Sequence, residues 1–335
     1  MNDTLKYAVN ATDSDDQQRQ KMAKALKAGL VRYIARTQAA DIMSISFTKG
    51  NTNDSQPAED DWDYWIFKVG ANGNFNGEKN YNSMGIYSSL SANRTTEDLK
   101  LNFSMSNNYN ESNFSYETSE ETEEGSRTFT ESITNITRSQ YANASLIKAI
   151  NGRWSWGLWG SASRSTYDNI DFSWSSATGI EYNIFPYTES NIHQFRIQYR
   201  VSRKQNNYVQ ETLYFKKREE LWQHSLEASF SLIEQWGNFS LGSDLGNYLD
   251  DFINMNYGIW SSANLKLFKG FSLNFWIDYS KVGKQVNLPL ADASLEGILL
   301  RRQQLETSFN YYANFGISYT IGSIYNNFVN PRFGG

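Results

Sequence analysis

The segment that most restricts how this chain can fold lies near its end. There Phe309, Tyr311, Ala313, Phe315, Ile317, Tyr319 and Ile321 alternate with Asn310, Tyr312, Asn314, Gly316, Ser318, Thr320 and Gly322. Successive side chains of an extended strand point to opposite faces, so this stretch reads as a strand with one apolar and one polar side. Strands of soluble sheets average about 5–6 residues, whereas a tilted strand needs ~9–11 to cross a bilayer. The pattern recurs at Phe271, Leu273, Phe275, Ile277 and Tyr279, at Tyr257, Ile259, Ala263, Leu265 and Leu267, at Leu226, Ala228, Phe230 and Leu232, and at Leu99, Leu101, Phe103 and Met105.

The spacing predicts twelve strands, near 63–76, 81–93, 98–117, 127–149, 153–167, 171–185, 191–204, 218–236, 237–250, 254–268, 271–286 and 305–321. An even number allows the first and last strands to meet antiparallel, which removes the free sheet edge that hydrocarbon does not tolerate. The expected fold class is therefore all-β, an antiparallel transmembrane β-barrel of about twelve strands. A soluble β-sandwich or all-β repeat is the competing fold, and it is disfavoured by strand length. Mean hydropathy is only −0.61, but only alternate residues of a barrel strand meet lipid, so a polar average is compatible with a membrane. The 21 Tyr, 20 Phe and 10 Trp suit aromatic girdles at the two interfaces. No run approaches the roughly 20 apolar residues of a spanning helix.

Residues 1–60 read differently, as a short N-terminal α/β periplasmic segment ahead of a 61–335 barrel. Capping and acidic residues at Asp13, Ser14, Asp15 and Asp16 precede Met22, Leu26, Leu30 and Ile34, one face of an amphipathic helix. Ile42–Phe47 reads as a short strand, and the polar, Pro-containing stretch 50–62 as a linker. No basic and apolar leader follows Met1, so an exported chain of this kind is expected to be a mature form or a fragment.

Connections provide a second pattern. With the N-terminal segment in the periplasm, the turns at Arg94–Glu97, Asn151-Gly152, Pro186–Ser190, Trp236–Asn238 and Lys269-Gly270 should be periplasmic, and all are short. The acidic run 117–125 and the stretches 204–219 and 286–304 should be long outer loops, and only the turn around Gly77–Asn80 breaks the alternation.

Opposite the apolar faces, parity places Lys68, Lys100, Glu181, Arg196, Arg200, Glu227, Lys266 and Asp278 on the inner side. Such a mixture either fills the lumen with crossed ion pairs or lines a narrow aqueous path. The stripe Arg196, Gln198, Arg200 is expected to pair with Glu181. Gly157 with Gly160, and Gly242 with Gly246, lack the strand-turn-helix setting of a phosphate loop and read as small residues that ease inner packing or strand bending.

Signals for chemistry are sparse. The only two histidines are His193, near a turn, and His224, whose neighbour Ser225 points to the opposite face and cannot be its nucleophile partner. Two His and no Cys give no transition-metal set, so neither enzyme nor cofactor is expected. Asp244, Asp250, Asp251 and the acidic 117–124 run are carboxylates suited to Ca²⁺, or simply a solvated face. A net charge of −5 gives no basic footprint for nucleic acid. The many N-x-S/T triplets, such as Asn102 and Asn143, fall within strands and follow from richness in Asn, Ser and Thr.

The segments KAGLVRYIART, DYWIFKVGANGNFNGE, SLSANRTTEDLKL and GIEYNIFPYTES, and the ending GISYTIGSIYNNFVNPRFGG, resemble an outer-membrane barrel family of Bacteroidota-type bacteria. The resemblance implies a barrel in the Gram-negative outer membrane and a further periplasmic part ahead of residue 1. It carries no activity and no catalytic residues. Phe333 is followed by Gly334-Gly335, a departure from the usual C-terminal aromatic of barrels. Two functions are expected from the pattern: a narrow channel or passive transporter, and a structural or interaction protein that binds a periplasmic or envelope partner. Outer-membrane lipid is the partner common to both.

Overall fold

The computed structural model describes residues 14–34, 60–122, 125–290 and 304–322, in two compact units, Met1–Ile66 and Phe67–Gly335. In the first unit α1 (Asp15–Ile34) begins with a capping box, Ser14 N donating to Gln17 Oε1 at 2.9 Å and Gln17 N to Ser14 Oγ at 3.4 Å. Met22, Leu26 and Leu30 form an exposed stripe along it. The strand expected at Ile42–Phe47 lies outside the described residues.

The strands are β1 (Trp65–Gly77), β2 (Tyr81–Thr95), β3 (Leu99–Thr122), β4 (Gly125–Ala149), β5 (Trp154–Ser165), β6 (Ile170–Asn183), β7 (His193–Tyr208), β8 (Arg218–Glu234), β9 (Gly237–Tyr248), β10 (Asp251–Phe268), β11 (Phe271–Lys281) and β12 (Phe309–Tyr319). They form one sheet in sequence order from β1 to β12, and every described ladder is antiparallel. Alternation and turn spacing therefore predict the strands to within a few residues at most ends.

The sheet is rolled. Asn169, in the β5–β6 turn, donates from Nδ2 to Asn287 O beyond β11 at 3.0 Å, and Asn287 Nδ2 donates to Asp168 O at 3.0 Å. In a flat sheet β6 and β11 would stand five strand spacings apart, roughly 24 Å, so direct hydrogen bonds require the sheet to curl into a barrel.

Two connections differ from expectation. Of the acidic run 117–125, residues 117–122 are strand rather than loop, because β3 and β4 pair without a register shift as far as Thr122↔Gly125, as strands of 24 and 25 residues. The run has no apolar–polar alternation to mark it as strand, but it contains no Pro or Gly before Gly125, and charge alone does not break a strand. The turn at Pro186–Ser190 is longer than it looks, since 184–192 lie between β6 and β7 with a single 3-10 turn at Tyr187–Glu189.

Burial is inverted relative to a water-soluble protein. Among the most enclosed side chains are Asn183, Asn206 and Thr212, at 0%, 1% and 0% exposure. Phe275 pairs with Phe315, Leu273 with Ile317, Leu226 with Leu245 and Phe230 with Leu241, so apolar side chains meet across neighbouring strands to form a continuous outward surface. On that surface Leu226, Leu245, Ile259 and Ile277 are 42–48% exposed.

Candidate functional site

Register fixes which residues share the inner face, because directly paired residues in an antiparallel ladder lie on the same side. One row runs Lys100, Ile147, Gly157, Gly179, Arg200, Ser225, Gly246. The next runs Glu181, Gln198, Glu227, Asp244, Gly258, Ser280. Arg196 and Asp278 hold the same parity on β7 and β11, and Lys266 does so on β10 through its pairing with Ser272. Lys68 shares the parity of Gly70, whose missing Cβ would meet Ser89 Oγ of the same face at 3.1 Å.

Within these eight charged residues the structure brings four together. Arg196 Nη2 donates to Glu227 Oε1 at 3.0 Å, and its Nε lies 3.6 Å from Glu181 Oε2, an ion-pair distance too long for a hydrogen bond. Arg200 Nη2 reaches Glu227 Oε2 at 3.4 Å and Gln198 Oε1 at 3.2 Å. The side chains of Glu181, Glu227, Arg196 and Arg200 are 20–36% exposed, so this is a partly hydrated chain of alternating charge across β6, β7 and β8. Lys68, Lys100, Lys266 and Asp278 take no ion pair among the described residues.

The chain of charges is held at both ends by groups not singled out from the sequence. Tyr187, on the 3-10 turn, donates to Glu181 Oε1 at 2.8 Å and lies 2.9 Å from Ser155 Oγ. Burial first, then the bond to Glu181, pushes its phenol up to about 12, so it remains a donor at any physiological pH. At the far end the Arg200 guanidinium stacks over the Trp159 ring, 4.7 Å from its centroid. Glycine makes that possible: a Cβ on Gly157 would lie 2.3 Å from the Trp159 ring, and one on Gly179 would lie 2.6 Å from Tyr199 O. Trp260 lies against Gly242 in the same way, at 2.4 Å from the missing Cβ.

Beside Trp159 and Arg200 opens a cavity of about 370 Å³. Its lining comes from β3 to β8, including Asn102, Asn143, Ser161, Ser175, Ser202 and Ser225. Hydroxyls, amides and one stacked guanidinium suit small hydrophilic solutes and water.

At the end of the barrel where the β3–β4 hairpin projects, residues 282–290 fold inward as a cap. Thr212 bridges Pro289, Leu213 N donates to Leu288 O at 2.9 Å and Leu290 N to Glu211 O at 2.7 Å. Val286 and Leu288 are each 5% exposed, and Val286 joins Leu221 and Tyr248 in a small apolar core. Asn169 staples the cap down: Nδ2 donates to Gln210 O at 3.1 Å and to Asn287 O at 3.0 Å, and Oδ1 accepts from Gln210 N at 2.7 Å. Its φ of +58° is a conformation Asn tolerates better than most residues. Beneath lies a polar cluster in which Ser173 donates to Asn206 at 2.8 Å, Asn206 to Tyr208 at 2.9 Å, and Tyr208 to Glu219, which also takes Lys216 at 2.8 Å. The apolar residues of VNLPL, with a proline that ends strand pairing, are the sequence signal that could have marked the cap.

The remaining candidates disperse. His193 Nε2 bonds Glu189 Oε2 at 2.9 Å, while His224 lies on the outward face with Tyr199 and Phe252 around its ring. Ser225 points to the inner face beside Arg200. Asp251 is engaged by Asn254 and Lys284, and Asp244 lies on the inner row between Glu227 and Gly258. Among the described residues no group of three or more His, Cys, Asp or Glu is placed to hold a metal.

No family model and no curated protein matches the chain. Solved structures similar to it include a NanC porin, with 11% identity over 77% of this chain and 99% of that one and a TM-score of 0.35. Another is the transport unit of the autotransporter AIDA-I from Escherichia coli, with 10% identity over 88% and 97% and a TM-score of 0.28. At these scores neither likeness bears on what the chain does.

Proposed function

We propose that this chain is an outer-membrane β-barrel protein that acts as a narrow passive channel for small hydrophilic solutes, constricted by its own cap. The observation that carries the membrane reading is the inverted burial: Asn183, Asn206 and Thr212 are enclosed while Leu226, Leu245, Ile259 and Ile277 stand out. A water-soluble protein rarely exposes an apolar surface of this extent, and strands can cross a bilayer only as a closed barrel. The cavity of about 370 Å³ among Ser, Asn and Arg200 supports passage rather than a solid core. Lys68, Lys100, Glu181, Arg196, Arg200, Glu227, Lys266 and Asp278 line that path in this reading, and the resemblance to a Bacteroidota-type barrel family agrees with an outer-membrane location.

Planar-bilayer recording on the purified protein tests the reading. Small, discrete conductance steps are expected, rising in frequency when the cap is loosened. A silent bilayer for both the natural and the loosened protein removes the channel. A second reading, an interaction protein of the envelope, is favoured by the β3–β4 hairpin, which extends well past its neighbours.

A further inference from the structure

β3 and β4 outrun the barrel. Their outward faces are apolar at Leu99, Leu101, Phe103, Met105 and Tyr109 and at Ile136, Ala142, Ala144 and Leu146, with Asn107, Arg138 and Gln140 among them, and are polar from Asn113 and Thr134 outward. At about 3.4 Å per residue the 11 residues of β3 beyond Glu111 add roughly 37 Å of strand past the apolar band. β5 pairs with β4 only over Ser139–Ala149, so the outer stretch of β4 has lost its barrel neighbour.

The backbone direction at that edge can be worked out. Thr166 N donates to Arg138 O at 3.0 Å, and Arg138 N donates to Thr166 Oγ1 at 3.0 Å, so the N–H and C=O of Arg138 face away from β3. Orientation alternates with period two, which puts the N–H and C=O of Thr128, Thr130 and Ser132 on the same open side. These three residues are exposed. Edge strands of native proteins are usually blunted by Lys, Pro, a bulge or shortness. Residues 126–132 contain no Lys and no Pro, and the β3–β4 ladder has no register shift.

Charge selects the partner. Residues 111–138 hold seven Glu and two Arg, a net of 2 − 7 = −5, which equals the net charge of the whole chain, so everything else sums to zero. Two copies meeting edge to edge would set −5 against −5 and repel.

We propose that the outer edge of β4, at 126–132, receives an extended, lysine- or arginine-rich polypeptide segment as an added antiparallel or parallel strand. Main-chain hydrogen bonds to Thr128, Thr130 and Ser132 supply the ladder, and the glutamates of the hairpin supply sign selectivity. The site is independent of the conduit, so the silence or conductance of a bilayer says nothing about it.

The test uses the full-length protein in detergent micelles and three synthetic ten-residue peptides: Lys alternating with Val, Glu alternating with Val, and a lysine peptide of equal charge interrupted by Pro at alternate positions. The Lys-Val peptide is expected to bind at least about tenfold more tightly than either control at low salt and to slow amide exchange at 128, 130 and 132. Thr130→Pro removes one N–H on the open side, where an edge strand tolerates Pro, and is expected to weaken the Lys-Val peptide about tenfold while leaving conductance as it was. Equal binding of the Pro-interrupted peptide would reduce the site to charge alone and overturn the added strand. So would protection confined to other residues, or Thr130→Pro binding like the natural protein.

Discussion

Glu227 is shared by two cations, at 3.0 Å from Arg196 Nη2 and 3.4 Å from Arg200 Nη2. Glu227→Gln keeps the shape and removes the charge, taking the group Glu181, Arg196, Glu227 and Arg200 from net zero to +1. The three side chains are 30–36% exposed, so each pair is discounted for solvent and their loss costs only about 1–2 kcal/mol of stability. The effect on permeation is larger. A unit charge roughly 6 Å from a passing ion contributes about 0.7 kcal/mol at the dielectric constant of water, with opposite sign for K⁺ and Cl⁻. The difference of about 1.4 kcal/mol corresponds to about a tenfold rise in the Cl⁻ to K⁺ permeability ratio. Reversal potentials measured across a KCl gradient near 0.1 M should move in the anion-selective direction, and near 1 M, where the Debye length is about 3 Å, the shift should nearly vanish. A variant that still conducts but shows no shift at low salt, or a shift toward cations, would refute the placement of this ion-pair chain on the conducting path.

Asn169→Ala removes three hydrogen bonds and leaves alanine in a left-handed turn, loosening the cap by about 3 kcal/mol, and single-channel records should show a higher open fraction at unchanged unit conductance. Tyr187 has a folded-state pKa raised from 10.0 to about 12, so its contribution is present below pH 10 and is lost as pH rises through 12. Unfolding measured across that window should fall less steeply for Tyr187→Phe than for the natural protein, and parallel curves would contradict the buried bond to Glu181. A closed barrel requires the backbones of β1 and β12 to be as protected as those of β6 to β8, so hydrogen exchange in micelles should be slow at all of them, and fast exchange confined to β1 and β12 would count against closure.

Strand number, order of magnitude of strand length and the two faces were legible without coordinates. The reason is local: a side chain's face depends only on parity along its own strand, and Phe309 to Ile321 declare theirs residue by residue. Helix α1 was legible for the same reason, through Ser14 and the four-residue steps of Met22, Leu26 and Leu30. The parity argument also set Arg196, Arg200, Glu181 and Glu227 on one face, but not which of them would touch. That depends on the register between strands, where Arg196 opposite Ser229 and Glu227 opposite Gln198 bring the pairs diagonally together. The acidic 117–125 run misled because composition suggested a solvated loop, while unbroken pairing with β4 continues as far as Thr122. Tyr187, Asn169 and the 282–290 cap were invisible because they act across the rolled sheet: Asn169 and Asn287 are 118 residues apart in sequence and meet only after the curl is made. Periodicity along the chain therefore determined the wall, and only the closing of that wall into a curved surface decided what occupies its interior and its mouth.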